Sequence, residues 1–135
     1  MINSGGHEIA KAVTGYKNFL LALNSRFHLL VTNYLMQPSV FLTMSAWERF
    51  GSFTVTGSFV TEYDLWLKLS ENSMPIILNR NISKFRIEQT TKTKTMSGHL
   101  LSEDWKIVKK YTKNPVILAL HKLNNVGRVL VSRFV

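Results

Sequence analysis

Leu65, Trp66 and Leu69 recur at spacings of three and four, which places them on one face of a helix. The stretch Gly57-Ser58-Phe59-Val60-Thr61-Glu62-Tyr63-Asp64-Leu65-Trp66-Leu67-Lys68-Leu69 therefore predicts a short loop running into a helix over 60–71. Thr61 is placed to cap it, with Asp64 three residues on in the capping-box position. Acids in the first turn suit the positive end of the helix dipole. Asp64 and Lys68 are four apart and can pair on the exposed face. Both acids thus have a plain role, capping and solubilising a surface helix, beside any chemistry in a cleft.

The same reading extends along the chain. Residues 1–13 read as an extended piece, with Gly5-Gly6 predicting the turn of a small hairpin and His7 and Glu8 solvated. Tyr16, Phe19, Leu20, Leu23, Phe27, Leu30 and Tyr34 step by three or four, predicting one bent helix or two short ones broken at Asn24-Ser25. His28 lies beside that stripe and reads as an interface histidine. Pro38 pushes Gln37 toward extended geometry. Val40 to Met44 reads as a buried strand, and Ser45 caps a short helix over 46–50 that Gly51 ends. Pro75 to Leu78 and Ile82 to Ile87 read as strands around an Asn79-Arg80-Asn81 turn. Gln89 to Thr95 is a polar basic loop with donors for phosphate oxygens. A helix beginning at Ser97 or Ser102 runs through Lys113, and Pro115 suits the first turn of a last, basic and amphipathic helix.

Composition narrows the class. The chain has 135 residues, 45% hydrophobic and 19% charged, which suits one globular domain. The absence of cysteine excludes disulfides and thiolate metal sites. No apolar run approaches the ~20 residues of a membrane span, and no signal-peptide pattern is visible, so a cytoplasmic location is expected. Lys plus Arg number 17 against 8 Asp plus Glu, a net +9 that suits an anionic partner: nucleic acid, a phosphorylated ligand or anionic lipid. One reading is therefore a basic binding module for an anionic membrane surface or nucleic acid. The bases are spread out and no nucleic-acid motif is present, which disfavours nucleic acid.

Catalytic patterns are few. Histidines at 7, 28, 99 and 121 form no zinc motif, and two aspartates forty residues apart cannot form Asp-x-Asp. Glycine-rich phosphate loops and a Gly-x-Ser-x-Gly elbow are also lacking. What remains is a carboxylate near a helix start, suited to general-base work on a hydroxyl. A proline-bounded strand precedes it, and a Thr-rich basic loop suited to a leaving diphosphate follows.

Four pieces in order, Gln37-Pro38-Ser39-Val40-Phe41, Trp47-Glu48-Arg49-Phe50-Gly51-Ser52-Phe53, Glu62-Tyr63-Asp64-Leu65-Trp66-Leu67-Lys68-Leu69 and Phe85-Arg86-Ile87, resemble the carboxyl-terminal half of a family 2 glycosyltransferase, an enzyme family of GT-A fold. The resemblance spans about residues 37 to 95. It implies an α/β fold: a small mixed sheet from 40–44, 75–78 and 82–87, the 60–71 helix packed on it, and a helical carboxyl terminus. It implies an acceptor-side half over 1–96 and a helical extension over 97–135, with the nucleotide-binding half and its Asp-x-Asp absent. The implied activity is inverting transfer of a sugar from a nucleotide-diphosphate sugar to a hydroxyl acceptor, as in polysaccharide biosynthesis. Glu62 holds the place of the catalytic base, where aspartate is usual, and Asp64 that of a second acid. Gln37, Pro38, Ser39 and Trp66 correspond to the acceptor side, and Arg86, Thr90, Thr91 and Lys92 to the donor-diphosphate loop. Glu88 stands where the family has a histidine. A divalent cation, Mg or Mn, is expected only in a complete enzyme, with no metal held by this chain and no transfer by the chain alone. An uncovered sheet edge would favour a homo-oligomer, and lipid-linked acceptors would favour peripheral contact with the inner face of a membrane.

Overall fold

The computed structural model describes residues 1–51, 60–88 and 97–132. Two helices take up the first apolar stripe: α1, Lys11–Leu23, and α2, Arg26–Val31. They break where expected. Asn24 sits at φ 29, a region asparagine tolerates better than most residues, and the Ser25 hydroxyl accepts from the His28 N–H to cap α2. A single 3-10 turn, Gln37–Ser39, precedes α3, Met44–Phe50. Thr43, not Ser45, caps α3 by accepting from the Ala46 N–H. Gly51 closes it, where a Cβ would lie 2.3 Å from the Trp47 carbonyl oxygen. The central helix α4 is Thr61–Leu69, followed by α5, Ser97–Tyr111, and α6, Pro115–Ser132. Asn114 caps α6, its Oδ1 accepting from the Val116 N–H at 2.9 Å.

One hydrophobic cluster joins these helices apart from α3, which buries no residue in it. Leu29 and Leu30 of α2, Tyr63, Leu65 and Leu67 of α4, and Ile107 and Val108 of α5 are buried in it, together with Tyr34. α2 packs on both α4 and α6, and α5 packs on the same two helices. Six residues are too few to sustain α2 in isolation. Its last carbonyls are satisfied from elsewhere: the Tyr63 hydroxyl donates to Leu29 O at 2.7 Å, and His121 Nδ1 lies 3.0 Å from Leu30 O. The Arg26 guanidinium reciprocates at the end of α4, donating to Leu67 O at 2.9 Å and to Ser70 Oγ at 2.7 Å.

The α/β expectation is corrected. The described residues form a mostly helical small domain with no strand and no sheet, so the GT-A type mixed sheet over 40–44, 75–78 and 82–87 does not form among them. A short apolar run becomes a strand only where a neighbouring backbone completes its hydrogen bonds. Here Pro75 has no N–H to give. The backbone of 40–43 and 75–78 stays irregular, with Phe41 79% and Ile76 91% exposed. The 3-10 turn before 40–43 and the 82–87 run meet through a side-chain contact, Ser39 Oγ to Ser83 Oγ. Among the described residues, ladder pairing is confined to isolated bridges. Ile2 pairs antiparallel with Glu8, closing the Gly5-Gly6 turn, and parallel with Arg86. Ile2 N–H donates to Phe85 O and Ile87 N–H to Ile2 O, each at 2.9 Å. Left-handed Ala10 (φ 53) then turns this hairpin into α1.

The capping box is a second correction. Val60 occupies the cap position of α4 without a side-chain hydrogen bond, and Thr61 is already the first helical residue.

Candidate functional site

The first turn of α4 carries both acids, and the structure separates their roles. Asp64 is buried, 8% exposed, and faces the end of α5. The Tyr111 hydroxyl donates to its Oδ1 at 3.1 Å and to its backbone carbonyl at 3.0 Å. Lys110 Nζ lies 3.4 Å from the same carboxylate. These contacts make Asp64 a tie between α4 and α5. Burial, then the Asp64 charge, pushes the Tyr111 phenol up, so it stays a proton donor to that carboxylate.

Glu62 belongs to a group of mutually acting charges drawn from four helices. Burial is the largest cause that raises its proton affinity above the ordinary 4.5, and the Asp104 carboxylate of α5 adds to it. Its own backbone N–H and the Lys17 ammonium of α1 act in opposition. Burial, then the charge of Arg128 on α6, holds Lys17 down to about 8 from 10.5. Asp104 is 1% exposed and forms an ion pair with Arg128 Nη1. Two cations and two carboxylates therefore share one partly dry region, in which burial raises the proton affinity of Glu62.

Around this group the packing is aromatic. Tyr63 stacks on His121, with ring centroids 6.5 Å apart and planes 7° apart, and Trp105 lies 6.0 Å from the same imidazole. His121 Nδ1 faces a carbonyl and so carries the proton, while Nε2 accepts from Asn125 Nδ2 at 3.1 Å. Burial lowers its pKa from 6.5, which keeps the ring neutral.

The other residues singled out from sequence are distributed unevenly. Gln37 and Pro38 are exposed in the 3-10 turn. That turn follows Met36, whose Sδ lies 3.0 Å from Lys17 Nζ, so the turn begins beside the charged group. Ser39 turns to Ser83. Trp66 is a core residue, 6% exposed, and its indole N–H has no hydrogen-bond partner among the described residues. Arg86 points to the amino-terminal hairpin, donating to Ser4 O at 3.0 Å. Thr90, Thr91 and Lys92 lie outside the described residues. Among the described residues no group of three His, Cys, Asp or Glu side chains is placed to hold a metal ion. Sequence reasoning missed Lys17, Arg128 and Tyr63. The one available signal was for Asp104, since the chain has only two aspartates.

A carboxylate whose proton affinity is raised is a stronger base toward a hydroxyl, which suits general-base work. The raised affinity has a cost in stability. Below the ordinary 4.5, Glu62 is protonated in folded and unfolded chains alike; as pH rises through the window up to its raised folded value, the folded state is penalised. Glu62→Gln is therefore expected to melt higher than the parent at pH 7 and to coincide with it at pH 4, as thermal melts across pH would show. A lower melting temperature for the variant at pH 7 would mean that the Lys17 attraction outweighs burial.

No protein-family model, curated protein or solved structure matches the chain.

Proposed function

We propose that this chain is the acceptor-side part of a sugar-nucleotide-dependent glycosyltransferase, with Glu62 as the base that deprotonates an acceptor hydroxyl. The observation that carries the reading is Glu62 itself: half-buried in the first turn of α4, with its proton affinity raised by burial and by Asp104. The four ordered sequence pieces of family 2 glycosyltransferases support it, since Glu62 occupies the base position of the third. The mostly helical fold does not carry the resemblance, and the reading stands on the sequence pieces and the placement of Glu62.

In this reading the acceptor hydroxyl attacks the anomeric carbon of the donor sugar, its proton passes to a Glu62 carboxylate oxygen, and the nucleotide diphosphate leaves. Lys17 tunes the base by opposing the effect of burial. Asp64 positions the helix start through Tyr111 and Lys110. The sequence carries no phosphate loop and no Asp-x-Asp, so donor and divalent-cation binding fall to another polypeptide segment.

The test is acceptor binding at Glu62. Titrating the isotope-labelled full chain with a panel of mono- and disaccharide acceptors is expected to shift the Glu62 carboxyl resonance and its titration midpoint. Nucleotide-diphosphate sugars with magnesium or manganese are expected to leave both in place. A Glu62 resonance blind to every acceptor would overturn the reading, and a response to the donors would place a nucleotide site in this chain.

A further inference from the structure

We infer that the outward faces of α1 and α6 together form a docking surface for an anionic lipid bilayer. α6 is apolar on two sides. Its inner side carries His121, fully buried. Opposite, Val116, Leu123 and Leu130 recur every seven residues, two helical turns, and Val126 broadens the stripe. All four are exposed, Leu123 at 68% and Val116 at 62%. An outer arc of about 120° on α6, running from Val126 round to Leu120, contains only apolar residues and glycine. α1 does the same: Phe19 is 60% exposed and Leu23 46%. The two helices meet beside these faces, where Asn124 Nδ2 of α6 donates to the Tyr16 hydroxyl of α1 at 2.9 Å.

Charge chooses the occupant. Neither α1 nor α6 contains an aspartate or glutamate, and Lys11 and Lys122 stand exposed on them, while Lys17 and Arg128 of the same helices are engaged with the interior carboxylates. Beside them, Lys109 of α5 and Lys122 of α6 stand 5.4 Å and 4.8 Å from the Trp105 ring centroid and flank the apolar face with a basic ridge. A second copy of a chain carrying +9 would bring like charges together at this face. An anionic leaflet offers both an apolar interior and a negative surface. No helix among the described residues is long and apolar enough to cross a membrane, which fits helices lying in the interface plane.

The experiment is vesicle flotation of the full chain, with phosphatidylcholine vesicles and with vesicles of phosphatidylcholine mixed with phosphatidylglycerol. The chain is expected to float with the mixed vesicles, with roughly tenfold weaker binding to the neutral ones and loss at high salt. Leu123→Ser combined with Val126→Ser is expected to weaken binding to the mixed vesicles roughly tenfold. Circular dichroism and melting temperature should be unchanged, because both side chains are exposed. Equal flotation of parent and variant would overturn the assignment. So would absence of flotation accompanied by a dimer, seen by light scattering, that the variant abolishes. The inference uses neither Glu62 nor transfer chemistry, so failure of the acceptor titration leaves it standing, and its own failure leaves the transferase reading standing.

Discussion

Arg128→Met is expected to destabilise the chain by about 3 kcal/mol, because it leaves the buried Asp104 carboxylate without its ion-pair partner. The figure sits at the low end of the range for broken buried pairs. The Arg128 side chain is 39% exposed, and Lys17 still attracts the carboxylate. The companion variant is informative. Asp104→Asn with Arg128→Met removes the orphaned charge and is expected to recover most of the loss, so urea denaturation of the two singles and the double gives the coupling directly. A single-variant loss below about 1 kcal/mol would mean that the pair is solvated and contributes as surface pairs do. The same pair reaches the candidate site, since the Asp104 charge adds to burial in raising Glu62.

Leu29→Ala is expected to cost about 3 kcal/mol, the usual result of truncating a fully buried leucine. Leu29 lies on the short helix that packs against both α4 and α6, so the cavity opens where the core elements meet. Leu123→Ala deletes the same atoms from an exposed position and is expected to stay within about 0.5 kcal/mol of the parent. The comparison separates burial from composition. Equal losses from the two variants would show that α6 is covered along its outer face.

Legibility followed periodicity. The stripe from Tyr16 to Tyr34 located α1, α2 and their break, because spacings of three and four are a long-range signal repeated over many residues. Pro115 located the start of α6, because its fixed φ suits a first helical turn. The apolar runs at Val40 and Ile76 misled. A run of four or five such residues says that burial or pairing would be favourable, and the partner that decides between them is never in the run itself. Thr61 misled through a one-residue slip: the helix starts at the threonine, so its hydroxyl is past the cap position. At the site, Glu62 was identifiable from its neighbours in sequence, but its field was not. Lys17, Asp104 and Arg128 stand on three other helices, and no spacing rule connects residues 17, 62, 104 and 128. His121, a lone histidine on a basic helix, gave no sign that it would be buried against Tyr63.

The borrowed hydrogen bonds at the end of α2 also set an order of assembly. A six-residue helix gains little from its own backbone, and its last carbonyls wait for a tyrosine 34 residues away and a histidine 91 residues away. α5 and α6, by contrast, are neighbours in the chain joined by a short link, and they meet with little loop to close. The α5–α6 pair is therefore expected to form first and α2 to gain its helix once that pair and α4 have packed around it, an order that pulse-labelled hydrogen exchange of the α2 amides during refolding would read.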